Sequence, residues 1–178
     1  MIVASPPKSF TLAVHPTFAG FGWVVAEGPL SPHDWGVARI RIDKNSNILK
    51  RIERLIARFQ PETLVLEAFE EHTSARRKRI TDLCRAMVAL ARDAGVEIAV
   101  FSRGDIQSTF GDVGARSRHE IAEAVARHVP SLRARLPRKR RAWQSDHPNM
   151  SIFNAMAAAL THFRLSCDTL LDDLSADR

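Results

Sequence analysis

Phosphate binding is the first chemistry that the residue types suggest. Between Ala124 and Ser145 there is no acid and there are seven Lys or Arg, concentrated in RARLPRKRRAW. A run of that kind gathers phosphates by releasing condensed counterions. Trp143, beside Arg138, Lys139, Arg140 and Arg141, adds a ring on which a base or sugar can stack. The competing reading is a solvated charged loop that serves solubility. A second basic group, Arg76, Arg77, Lys78 and Arg79, opens a predicted long helix. Cations there oppose the helix dipole by less than about 1 kcal/mol, and an outside anion would compensate them. Metal and thiol chemistry have less to work with. The two cysteines, Cys84 and Cys167, have no Cys or His at zinc-ligand spacing and cannot build a disulfide framework. Cys84 falls on the apolar side of its helix and reads as a small core residue. His119, His128 and His162 are scattered, as surface or core histidines are.

The whole-chain balance agrees with the local one. Twenty-six Lys and Arg against 20 Asp and Glu give a net charge of +6 and a pI near 10.1, which favours a polyanionic partner. A length of 178 residues suits one domain, and 45% hydrophobic with 26% charged residues excludes wholesale disorder and fibrous classes. No apolar stretch approaches the ~18 residues of a membrane span, and Met1 to Lys8 lacks the pattern of a signal peptide. The expectation is an intracellular, cytoplasmic protein with no membrane partner.

The elements that must position these residues follow from periodicity. Ser9 to His15 reads as a short buried strand halted by Pro16, Phe18 to Ala26 as a glycine-bearing second strand, and Trp35 to Ile42 as a third, together an antiparallel meander. From Ser46 a helical period takes over, with Ile48, Ile52, Leu55, Ile56 and Phe59 on one face, ended by Pro61. Thr63 to Ala68 is a strand apolar on both faces, hence central and parallel to the first. A long helix from about Ser74 to Ala94 precedes a fifth strand, Val96 to Phe101. Asp105 is expected to cap a short helix, Ser117 and Glu120 form a capping box, and a last helix runs from Pro148 or Asn149 through Phe163. Residues 1–165 are then one domain and residues 166–178 an acidic tail. Three meandering strands followed by strand–helix units build a mixed α/β sheet of five strands in spatial order 3-2-1-4-5, the ribonuclease H-like fold.

Within that fold the chain resembles the RuvC family of Holliday junction resolvases. The resemblance covers Phe10 to Phe163 and is carried by TLAVHPTFAGFGWVV, LVLEAF, VFSRGDIQSTFG, GARSRHEI and NAMAAALTHF. It implies a nuclease fold, a homodimer, branched or duplex DNA as partner with RNA as an alternative, and Mg²⁺ or Mn²⁺ as cofactor if active. Arg118 falls at a basic position that faces the cleavage site. The family uses four carboxylates to hold two metal ions that activate a water and stabilise the leaving oxygen. At the matching positions this chain has His15 on the first strand, Glu67 on the fourth, and Ser151 and Asn154 on the last helix. Of these, Glu67 alone is a carboxylate.

Imidazole is a poor substitute for a bridging aspartate on Mg²⁺, and Asn154 offers one neutral oxygen. The leading expectation is therefore a nucleic-acid-binding protein with a degenerate metal centre. Its first rival is an active structure-selective endonuclease whose site is rearranged, with Asp146 joining Glu67 and His15 around an ion. Its second is a protein-interaction module on the same fold. For Asp146 the plainer role is at the positive end of the last helix.

Overall fold

The computed structural model of the protein describes residues 9–68, 74–141 and 143–176, without the side chain of Arg76 or those beyond Cys167. β1 (Thr11–Pro16), β2 (Gly20–Ala26) and β3 (Pro32–Arg39) form the meander, α1 (Lys44–Phe59) crosses to β4 (Thr63–Glu67), and α2 (Ala75–Asp93) crosses to β5 (Glu97–Phe101). The sheet order is β3-β2-β1-β4-β5, as the sequence pattern predicts. β1 runs antiparallel to β2 and parallel to β4, and β4 parallel to β5. α3 (Arg103–Thr109), α4 (Arg118–His128) and α5 (Met150–Ala176) follow.

Side chains along the central strands alternate between two cores, because successive residues of a strand point to opposite faces. Leu12, Val14, Leu64 and Leu66 pack under α1 and α2, together with Ile48, Ile52, Leu83 and Met87. Ala13, Val24 and Val65 pack under the other layer, with Ile121, Val125, Phe153 and Met156. Odd-numbered residues of β1 and β4 therefore face α5. That parity places the site.

Three local expectations are corrected. β3 starts at Pro32 rather than Trp35, because the turn closed by Glu27 N–H to Ser31 O and Ser31 N–H to Gly28 O delivers the chain to β2 at once. Ser102, not Asp105, caps α3; Asp105 is its third residue and returns the bond to the Ser102 N–H, a reciprocal capping box. α5 starts at Met150 rather than at Pro148 or Asn149, and it runs through Phe163 to Ala176, with no Pro or Gly after Phe163 to end it sooner. Among the described residues no helix is long and apolar enough to cross a membrane.

Candidate nucleic-acid interface and buried polar row

Register brings the candidate residues together. Ala13 pairs with Val65 across β1 and β4, so two residues further on His15 and Glu67 stand side by side on the α5 face, at the carboxyl ends of both strands. On the other side His15 pairs with Gly22 of β2. A Cβ on Gly22 would lie 2.3 Å from Ser151 Oγ and 2.6 Å from its carbonyl carbon, so the bare glycine is what lets α5 settle onto the sheet here. The start of α5 then covers the row.

His15, Glu67, Ser151 and Asn154 are all buried, between 2% and 6% exposed. His15 Nδ1 lies 3.3 Å from Glu67 Oε2, an ion-pair distance, and out of line for a conventional hydrogen bond. Asn154 Nδ2 lies 3.2 Å from His15 Nε2. With the amide in this orientation Asn154 donates to Nε2, which leaves the ring proton on Nδ1, toward Glu67. Ser151 belongs to the same corner, but its hydroxyl donates to Pro148 O at 2.6 Å. Burial pushes the Glu67 carboxyl up, yet the adjacent His15 and the charges of Arg118 and Arg103 more than cancel this, so Glu67 titrates below its ordinary value. The half-buried Arg103 is a site residue that sequence reasoning missed. Burial pushes its guanidinium down, Glu67 pulls it up, and Arg118 pushes it down again. The capping box at Ser102 fixes the turn that brings Arg103 there.

These residues do not fit a pair of divalent ions. One carboxylate, an imidazole engaged by Glu67 and Asn154, a neutral amide and a hydroxyl turned to a backbone carbonyl supply neither the oxygens nor the negative charge that two Mg²⁺ require. Among the described residues no three His, Cys, Asp or Glu side chains converge as metal ligands. Asp146 lies against two arginines, Arg140 Nε at 2.5 Å and Arg118 Nη1 at 3.9 Å.

The basic run forms an exposed loop before α5. Gln144 folds it on itself, accepting from the Arg141 N–H through Oε1 and from Arg140 Nη1 through its carbonyl. The loop borders a concavity of about 1100 Å³, to which Arg138, Lys139, Arg140, Arg141 and Asp146 contribute. Trp143 is 75% exposed, with the Arg141 guanidinium 6.0 Å from its ring centre. Of the α2 group, Arg77 is exposed, the Arg76 side chain lies outside the described residues, and Arg79 is committed to structure. Arg79 donates to Asn45 Oδ1 at 2.7 Å and to the carbonyls of Thr17 and Phe18, bracing the β1–β2 turn. Cys84 is partly buried, and burial pushes its thiol up to about 12, as suits an inert packing residue.

No protein-family model and no curated protein matches the sequence. Solved structures do match the fold. RuvC of Thermus thermophilus is similar at 19% identity and a TM-score of 0.63, over 90% of this chain and 97% of that one. The same organism's RuvC in complex with a Holliday junction substrate aligns at 17% identity and 0.63, over 86% and 92%. The fowlpox virus resolvase with Holliday junction DNA aligns at 8% identity and 0.50, over 86% and 98%. The fold is that of the RuvC-like resolvases. On this topology the chain carries His15 on β1, Glu67 on β4, and Ser151 and Asn154 on α5.

Proposed function

We propose that this chain is a DNA-binding protein on the RuvC-like fold in which a chain of polar contacts has replaced the two-ion cleavage centre. The observation that carries this reading is the contact of His15 with both Glu67 and Asn154 in a buried row. The imidazole, with its Nδ1 turned to Glu67, supplies a polar neighbour where a metal would otherwise stand, and Asn154 holds the ring in place. Arg103 and Arg118 at the mouth, with Arg138, Lys139, Arg140, Arg141 and Trp143 on the loop, form the face that meets the phosphodiester backbone. Arg77, exposed on α2, is a further candidate for phosphate contact. Ser151 and Asn154 keep the positions of metal-binding carboxylates without their chemistry.

The test pairs binding with cleavage on four-way junction, duplex DNA and duplex RNA. Expected are salt-dependent binding of DNA and no nicking with Mg²⁺ or Mn²⁺. Junction nicking abolished by Glu67→Gln would replace this reading with an active nuclease using Glu67 and Asp146. Absence of nucleic-acid binding at low salt would leave a protein-interaction module, and preference for RNA would change the ligand. A homodimer is part of the proposal. Met87 and Ala91 of α2 are buried in the core; a contact through the exposed side of that helix would be checked by sedimentation of Arg85→Glu against the unaltered protein.

A further inference from the structure

Asp146 is the only acid between Glu123 and Asp168. Its two oxygens face two arginines from different segments. Oδ1 contacts Arg140 Nε of the basic loop at 2.5 Å, and Oδ2 lies 3.9 Å from Nη1 of Arg118, the first residue of α4. Two guanidinium groups bridged by two oxygens of one anion is also the arrangement that holds the non-bridging oxygens of a phosphodiester. Arg118 lies near enough to Glu67 to act on its charge. All three side chains are 45% to 49% exposed, and Arg140 and Asp146 line the concavity bordered by the loop.

Magnitudes favour exchange of the anion. Ion pairs this exposed contribute about 0–1 kcal/mol, so releasing Asp146 costs little. A nucleic-acid phosphate brings more, because its neutralisation releases a condensed counterion and because the polymer continues its negative charge along the loop. We propose that Arg118 and Arg140 form a phosphodiester clamp that Asp146 occupies in the free protein, and that nucleic acid binds by displacing this internal carboxylate. The clamp rests on the DNA-binding reading for its ligand, and it makes Asp146 a placeholder for phosphate, not a ligand of metal.

The experiment compares Asp146→Asn with Glu53→Gln on α1, which changes net charge equally from the layer on the other side of the sheet. By fluorescence anisotropy with duplex DNA over a salt series, Asp146→Asn should bind about fivefold tighter than Glu53→Gln, the equivalent of the upper range of one exposed pair. Its log–log salt slope should match that of Glu53→Gln within a few tenths, since the clamp neutralises the same phosphate in both once Asp146 is displaced. Adding Arg118→Ala should cancel the gain. Asp146→Ser removes the same charge and should behave alike, which guards against a folding defect of one variant. Equal behaviour of Asp146→Asn and Glu53→Gln, or weaker binding by Asp146→Asn, overturns the clamp. If no variant binds DNA, the DNA-binding reading fails, and inorganic phosphate then tests the clamp alone. It should raise the Tm of Asp146→Asn above that in chloride of equal ionic strength and leave the unaltered protein unmoved, and no such rise overturns it.

Discussion

His15 stands between Glu67 and Asn154 in the buried row, and these partners explain why it stays. Glu67 alone in this row would be a buried charge, several kcal/mol unfavourable without a partner, and the imidazole is that partner. Replacing His15 and Asn154 together by aspartate should therefore create an anionic site that takes up Mn²⁺, read by titration calorimetry, and should lower the Tm when no metal is added. Either replacement alone should bind metal weakly, because the site acts as a unit. Aspartate at Ser151 as well should cost stability, since that side chain already touches the plane of Gly22. The convergence of His15, Glu67 and Asn154 is legible in the sequence through the family resemblance that TLAVHP, LVLEAF and NAMAAALTHF carry, which implies one site from β1, β4 and α5. Arg103 is not. Nothing distinguishes an arginine that opens a short helix until the register of β5 beside β4 places that helix next to Glu67.

At the scale of elements, the junction of α5 with β2 and the entry to α4 hold the site in shape. Gly22→Ala should destabilise the protein by about 1–3 kcal/mol, the usual cost of overpacking, because the new methyl meets the α5 backbone as well as a movable side chain. Denaturant unfolding would measure it, and a change below a few tenths would show that α5 can shift. Ser117→Ala should cost about 1 kcal/mol through loss of the bond from the Glu120 N–H to the Ser117 hydroxyl. The capping box also sets a pH dependence. Glu120 accepts from the N–H groups of Ser117 and Arg116 and from the Ser117 hydroxyl, and its carboxyl falls from 4.5 to about 2. Its contribution is fully present above 4.5 and is lost as pH falls toward 2, so the difference in stability between the unaltered protein and Glu120→Gln should shrink across that window. This box is readable from Ser117 and Glu120 alone. The one at Ser102 is not, because Asp105 is also a common cap, and only the turn after β5 decides between them.

Across the whole molecule, the densest basic run lies on an exposed loop before α5, and the apolar layers hold the fold. The loop from Arg138 to Arg141 is exposed, its backbone organised by Gln144, and Pro137 anchors its start in the interior. Replacing Arg138, Lys139, Arg140 and Arg141 by alanine should therefore leave the Tm nearly unchanged, because the core beneath α4 and α5 does not depend on them. Binding should respond strongly. Each phosphate left without its cation lowers the log–log salt slope by about 0.9 on duplex DNA, so a loop touching two or three phosphates should flatten the slope by about two to three. Affinity should converge with that of the unaltered protein as salt rises, since the energy removed is that of counterion release. Trp143→Ala provides the contrast. Stacking depends weakly on salt, so this change should lower affinity for DNA with unpaired bases and leave the slope as it was. If the alanine loop binds duplex DNA with unchanged affinity and slope, the basic run is a solvated face and the phosphates are held elsewhere on the molecule.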